Sequence, residues 1–91
     1  MFSFNLGMEN SDKVLTEKVE KELVKIGSKL KFLRKERGYS SPDKFAYIHG
    51  INRSQYGKYE AGRTNLTIAT LLGILQHFEI SLEEFFAKEI G

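Results

Sequence analysis

Apolar residues recur along this chain every three or four positions, which is the period of amphipathic helices and not of strands. The longest stripe of this kind has six members: Leu15, Val19, Leu23, Ile26, Leu30 and Leu33. Gly27 lies inside this stripe, where a glycine costs roughly 1 kcal/mol relative to Ala. The pattern therefore predicts an N-terminal helix near residues 12–25 and a core helix near 26–37, or one continuous helix across both.

The next two helices are predicted from their boundary residues. Ser41 is placed to cap a helix over residues 42–49, which has Pro as its first residue. Asn52 is placed to cap a second helix that continues to residue 61. Gln55 follows Asn52 by three positions, so its side chain is expected to reach back and complete a capping box.

Two further amphipathic helices complete the pattern. Thr67 caps the first of them, whose apolar stripe is Ile68, Leu71, Leu72, Leu75 and Phe78. Ser81 and Glu84 have the spacing of a capping box and open the last helix. Aromatic residues at helical spacing are expected in the core: Phe32, Phe45, Tyr56, Tyr59, Phe78, Phe85 and Phe86. Ile48 is also available for burial, and Tyr47 is expected at the surface.

The fold class that follows is all-α, with five helices. The chain contains one Pro and no alternating apolar run, which leaves little room for strands. Its 91 residues suit one small domain. We divide it into an N-terminal arm and helical extension over residues 1–25 and a main domain over 26–91. Phe2 and Phe4 lie outside any period and are candidate contacts to a partner chain.

The segment from residue 42 to 62 combines a short helix, a turn at Gly50 and a second helix with a polar face. This is the pattern of a helix-turn-helix, in which the second helix places polar side chains in the DNA major groove. The same segment lies in the most basic part of the chain. Residues 26–63 hold nine Lys or Arg and three acidic residues, a net charge of +6, against −1 before and −3 after them. Phosphates favour such a cluster, although a solvated basic face is the alternative interpretation.

These residues resemble the lambda-repressor-like, or Cro/XRE, family of helix-turn-helix regulators. The resemblance covers about residues 26–86 and is carried by five ordered motifs: IGSKLKFLRKERGYS, Phe45-Ala46, Gly50-Ile51, NRSQYGKYEAGR and ISLEEFF. It implies a lambda-repressor-like DNA-binding domain that regulates transcription, with its recognition helix at about 52–61. The chain departs from the family where a Gln commonly opens the second helix, since Ser40-Ser41-Pro42 stands there instead. The stretch from Gly38 to Gly50 is also one residue longer than usual.

Five residues are candidate base contacts: Asn52, Arg53, Ser54, Gln55 and Lys58. Arg53 stands in the first turn of the recognition helix, where a guanidinium can bond a guanine through two hydrogen bonds. The resemblance places Ser54 and Lys58 at base-facing positions. Capping explains Asn52 and Gln55 equally well. Gly57 is unfavourable inside a helix. It suggests a close approach of the backbone to DNA, and the alternative is neutral drift on an exposed face.

Four residues are candidate phosphate contacts: Ser40, Ser41, Lys44 and Arg63. Lys58 is an alternative member of this set. The family also pairs an Arg of its first helix with a Glu near the end of its recognition helix. The resemblance therefore implies a structural ion pair between Arg34 and Glu60, which would set the angle of the recognition helix.

Other chemistry finds little support in the residue inventory. The chain has no Cys, and its two His residues, His49 and His77, are expected to lie far apart. It also lacks a Gly-rich phosphate loop. We therefore expect no enzyme, no metal, no cofactor and no small-molecule effector. Without a signal peptide or a membrane span, a cytoplasmic location is expected.

The expected partners are double-stranded DNA and a second copy of the chain. A homodimer follows because one helix reads only a few base pairs. Its contact is either the Leu15, Val19 and Leu23 stripe or the last helix with Phe85 and Phe86. The alternative is a protein-interaction or antitoxin-like module on the same scaffold, with weak or no DNA binding.

Overall fold

The computed structural model describes residues 9–87, and their side chains from residue 13 onward. This part of the chain forms five helices and no strand, as the sequence predicts. They are α1 (Glu9–Glu36), α2 (Pro42–His49), α3 (Arg53–Ala61), α4 (Ile68–Phe78) and α5 (Leu82–Ala87). None of them is long and apolar enough to cross a membrane. Phe2 and Phe4 lie outside the described residues.

Helix α1 is continuous through Gly27 over its 28 residues, so the two predicted segments are one helix. Gly27 is required by packing. A Cβ atom on Gly27 would lie 2.3 Å from the backbone oxygen of Glu60 and 2.6 Å from that of Tyr59. The backbone of α1 therefore lies directly against the backbone at the end of α3, and only a residue without a side chain fits between them.

The predicted N-caps are confirmed by hydrogen bonds to backbone amides. Ser41 Oγ accepts from Lys44 N at 3.1 Å, and Asn52 Oδ1 accepts from Gln55 N at 2.8 Å. Thr67 caps α4 in the same way, and Ser81 and Glu84 exchange both bonds of a capping box. The capping box at Asn52 is wrong in one half, because Gln55 Nε2 donates to the Tyr59 hydroxyl at 3.3 Å. Tyr59 offers that amide a partner within its own helix, four residues on.

The core lies between α1 and the other helices and is centred on aromatic rings. Phe45 stacks nearly parallel to Phe78, with ring centroids 4.7 Å apart, and tilts against Tyr56 at 5.0 Å. These rings are fully buried, as is Phe85. The other buried apolar residues are Leu30, Leu33, Ala46, Leu71, Ile74 and Leu75.

Burial was predicted wrongly for five apolar residues that the structure leaves exposed: Phe32, Ile48, Ile68, Leu72 and Phe86. In α4 the inward face runs through Leu71, Ile74, Leu75 and Phe78, so Ile68 and Leu72 fall on the outer edge of the stripe. Tyr47 is exposed, as expected. The period of a helix fixes which residues share a face, but the neighbouring helices decide how wide a sector they cover.

The two histidines are close together, which corrects the expectation that they lie far apart. The centroids of His49 and His77 are 4.6 Å apart, because the fold brings the end of α2 beside the end of α4. His49 Nε2 and the Tyr39 hydroxyl are 3.0 Å apart, within hydrogen-bond distance. Burial lowers the pKa of His49, and the neighbouring His77 lowers it further. Among the described side chains, no three potential metal ligands come together.

Part of the basic charge of α1 and of Arg37, the residue that follows it, holds other helices in place. Arg37 donates to the backbone oxygen of Phe78 at 2.6 Å, at the C-terminus of α4, and its guanidinium lies over the Phe78 ring. Lys29 donates to the backbone oxygen of Phe85 at 3.2 Å, near the C-terminus of α5. Cations at these ends satisfy terminal carbonyls and favour the helix dipole. The basic segment is thus partly a structural device.

Candidate nucleic-acid interface

Helices α2 and α3 form a compact helix-turn-helix. Gly50 adopts a left-handed φ of 71° and ends α2, and Ile51 N donates to Ala46 O at 2.8 Å. Three residues separate the two helices, and Phe45 of α2 packs against Tyr56 of α3. This turn fixes α3 at a set angle to α2 with its outer face uncovered.

Helix α3 has two different faces. Tyr56 is fully buried, and Tyr59 packs against the core beside it. Arg53, Ser54 and Lys58 are exposed. Their side chains have no hydrogen bond or ion pair with the residues that the structure describes, so all three are available to an external partner.

Glu60 on the inward face forms a buried ion pair with Arg34 of α1. Arg34 Nε donates to Glu60 Oε2 at 2.8 Å and its second nitrogen donates to Oε1 at 3.1 Å, a bidentate arrangement. The remaining nitrogen donates to Tyr39 O at 2.8 Å. The Arg34 side chain is only 2% exposed, and each of its three guanidinium nitrogens donates to a fixed partner. The pair ties the end of α3 to α1.

Burial raises the pKa of Tyr56, and repulsion from the nearby Glu60 carboxylate adds to this shift. The Tyr56 hydroxyl has no partner in hydrogen-bond geometry among the described residues. The Arg34 guanidinium beside Glu60 opposes this rise in the pKa of Tyr56.

The other predicted site residues lie at the two ends of the helix-turn-helix. Ser40 and Lys44 are exposed at the start of α2, whereas Ser41 is half-buried and its hydroxyl is occupied as the N-cap. Arg63 is exposed at the exit of α3. Asn52 is exposed although its carbonyl oxygen caps α3, and Gln55 is half-buried against Tyr59.

The charge left on the surface is concentrated near this site. Of the nine basic residues in 26–63, Lys29, Arg34 and Arg37 bond to the protein's own oxygens. Four of the remaining six belong to the helix-turn-helix or its exit: Lys44, Arg53, Lys58 and Arg63. The bonded cations lie in α1 or directly after it, so the remaining positive charge is more localised than the sequence indicates.

Sequence reasoning missed the role of Gly27 and Gly62 at this site. Both allow α1 to lie directly against the end of α3, since a Cβ on Gly62 would lie 2.7 Å from the Cα of Val24. Gly27 was noticed as an irregularity, but its neighbour is 33 positions away in the chain. A long-range backbone contact of this kind leaves no periodic trace in the sequence.

Comparison with known proteins agrees with this geometry. Residues 27–89 match the model of a helix-turn-helix domain family. The control protein C.MunI of Mycoplasma sp is 34% identical over 64 residues, which is 70% of this chain and 86% of that protein. No solved structure matches the chain.

Proposed function

We propose that this chain, which belongs to the helix-turn-helix family, is a sequence-specific double-stranded DNA-binding regulator of transcription. The family match confirms the resemblance to Cro/XRE regulators and supports DNA binding as its general role. The proposal goes further in assigning sequence specificity, repression as a homodimer and a cytoplasmic location. A relative named a control protein supports a regulatory role.

The observation that carries the proposal is the polar outer face of α3. Arg53, Ser54 and Lys58 are exposed together on a short helix that the core anchors from the other side. We assign them to base edges in the major groove, where Arg gives the strongest discrimination. Asn52 and Gln55 are assigned the same role, although both have internal bonds that explain their presence.

Phosphate contacts are assigned to the two ends of the helix-turn-helix. Lys44 and Ser40 stand at the start of α2, and Arg63 stands at the exit of α3. The hydroxyl of Ser41 already caps α2. Near Ser41, the contact to phosphate would therefore come from backbone N–H groups at the start of the helix. Such contacts position the protein on the duplex without reading its sequence.

The proposed DNA-binding unit spans residues 26–91, and the extension before it is a candidate dimer contact. Val14, Val19 and Val24 are exposed on the N-terminal half of α1, and Leu15 and Leu23 are half-buried. On the last helix Phe85 is buried and only Phe86 offers exposed apolar surface. Both surfaces remain possible contacts, and crosslinking through a cysteine placed at Val19 or at Phe86 would separate them.

The decisive experiment is selection of binding sites from a random duplex library. A regulator of this kind should enrich one sequence, and Arg53→Ala should lose preference for it. Arg63→Ala should weaken binding to all sequences alike and reduce the slope of log affinity against log salt by about 1. Equal losses for both variants on every sequence would count against the assigned roles.

A protein-interaction or antitoxin-like module remains the second candidate, and the exposed valines before the family match favour it. Titration with mixed-sequence DNA at about 50 mM salt separates the two. Non-specific DNA binders reach micromolar affinity under such conditions. No binding in that range would reject the DNA-binding role and leave the interaction module.

A further inference from the structure

We infer that the crossing of α1 over the end of α3, made possible by Gly27 and Gly62, determines which DNA sequence the protein reads. This inference rests on the proposed DNA-binding role. It assigns a positioning function to two residues that need not touch DNA. Both lie at the inner side of the recognition helix, away from its polar face.

The contact at Gly27 leaves no free space. A Cβ atom there would lie 2.3 Å from Glu60 O, 2.6 Å from Tyr59 O and 2.8 Å from Glu60 C. All three atoms are backbone, which cannot rotate away as a side chain can. To restore an ordinary contact of 3.4 Å, α1 and α3 would have to separate by about 1 Å. Binding constellations tolerate displacements of only about 0.5 Å.

A second contact fixes the same end of α3 from the following loop. Gly62 has a φ of 70° and ends the helix, and a Cβ on it would lie 2.7 Å from Val24 Cα and 2.9 Å from Val24 N. Val24 stands three residues before Gly27 on α1. The two glycines therefore press one turn of α1 against the last turn of α3 and the residue that follows it.

Helix α3 is held along its length by α2, whose Phe45 packs against Tyr56, and at its end by α1. The helix has nine residues and one fully buried side chain, Tyr56. Its other strong tie, Glu60 to Arg34, also leads to α1. Because α1 holds the end of α3 through the two glycine contacts and the ion pair, a shift at the crossing moves the outer face that carries Arg53 and Lys58. The glycines thus set depth and angle in the groove.

The other glycines of the described helices are different. A Cβ on Gly57 or on Gly73 would meet nothing within 4 Å. Gly73 lies on the exposed side of α4, so Gly73→Ala is a matched control for Gly27→Ala. Gly38 also has a left-handed φ, of 89°, and open space around it. Gly38→Asn is therefore the control for Gly62→Asn, because Asn tolerates this backbone conformation.

The test compares affinity for the selected site with affinity for unrelated duplex DNA, after circular dichroism has shown that each variant is folded. We expect Gly27→Ala and Gly62→Asn to lower affinity for the site at least tenfold, with less than a twofold change on unrelated DNA. Gly73→Ala and Gly38→Asn should change neither. A general loss of stability would not alter this ratio for folded protein, so the ratio isolates positioning.

The outcomes are distinct. Absence of any selected site for the unmodified protein would reject the proposed function itself. A folded Gly27→Ala or Gly62→Asn protein with the original ratio would overturn the positioning role alone. If Gly27→Ala does not fold, Gly62→Asn decides. Failure of both to fold would assign the crossing to stability only and would also overturn the inference.

Discussion

The inner and outer faces of α3 are constrained by different things. On the inner face, Tyr56 is buried and Glu60 is held by a bidentate guanidinium. On the outer face, Arg53, Ser54 and Lys58 are exposed, and their side chains have no hydrogen bond or ion pair with the described part of the chain. The residues of the inner face stabilise the fold. The residues of the outer face do not, and binding to an external partner would account for them.

This difference separates stability from recognition within nine residues. Substitutions on the inner face should change the free energy of unfolding first, and DNA binding only through folding or helix position. Substitutions on the outer face should change binding and leave unfolding nearly unaffected, within about 0.5 kcal/mol. The experiments that follow test the separation from its strongest side to its weakest.

Replacing Arg34 with Ala should have the largest effect. It would leave the Glu60 carboxylate buried without its partner. Removing one member of a buried ion pair lowers the free energy of unfolding by about 3–5 kcal/mol. It would also remove the bond to Tyr39 O. Urea denaturation followed by circular dichroism measures the loss, and an unfolded variant at room temperature agrees with it.

Lys35→Ala is the matched control, because Lys35 is the next residue of α1 and is exposed. Its free energy of unfolding should stay within about 0.5 kcal/mol of the unmodified protein. A loss below about 1 kcal/mol for Arg34→Ala would show that the pair is not what holds the inner face.

How much of this was predictable depends on the range of the interaction. Caps at Ser41, Asn52 and Thr67 were predicted correctly, since each joins residues three apart. The family of the chain was likewise predicted, because its motifs are ordered along the sequence. Such hydrogen bonds join residues close together in the sequence and depend little on the rest of the fold.

Apart from the Arg34–Glu60 ion pair, which the family resemblance implied, contacts between distant segments were not predictable from the sequence. The proximity of His49 and His77, and the bond from Arg37 to Phe78 O, exist only after α2, α4 and α1 have docked. Gln55 was assigned to a local cap but bonds to Tyr59, a choice decided by competing partners at similar distance along the chain. The site was thus predictable as a segment, and the resemblance supplied its ion pair with α1, but the close contacts of Gly27 and Gly62 were not predictable.

Gly57 of α3 tests whether stability and DNA binding change independently. A Cβ there would meet nothing within the protein, so Gly57→Ala should raise the free energy of unfolding by about 0.5–1 kcal/mol. If the α3 backbone lies close to DNA at Gly57, as the sequence suggests, the same change should lower affinity for DNA. Thermal unfolding and fluorescence anisotropy measure the two effects.

Gly73→Ala provides the comparison for Gly57→Ala, since it also lies in a helix with open space around it. It should stabilise the protein to a similar extent and leave DNA binding unchanged. Unchanged binding by a stabilised Gly57→Ala protein would mean that the glycine has no role in approach to DNA.

The smallest effect at neutral pH is expected for Tyr56→Phe, although Tyr56 lies at the centre of the inner face. Its hydroxyl has no partner in hydrogen-bond geometry among the described residues, so its removal should change stability by less than about 0.5 kcal/mol.

The raised pKa of Tyr56 adds a dependence on pH. Folding favours the neutral form of Tyr56. The free energy of unfolding is therefore fully retained below about pH 10, the ordinary pKa of tyrosine, and falls as pH rises beyond it. Urea denaturation between pH 8 and about 11 should show a steeper decline for the unmodified protein than for Tyr56→Phe. Equal declines would show that Tyr56 is not the source of the alkaline sensitivity, and a large loss at neutral pH would mean that its hydroxyl makes a stabilising hydrogen bond.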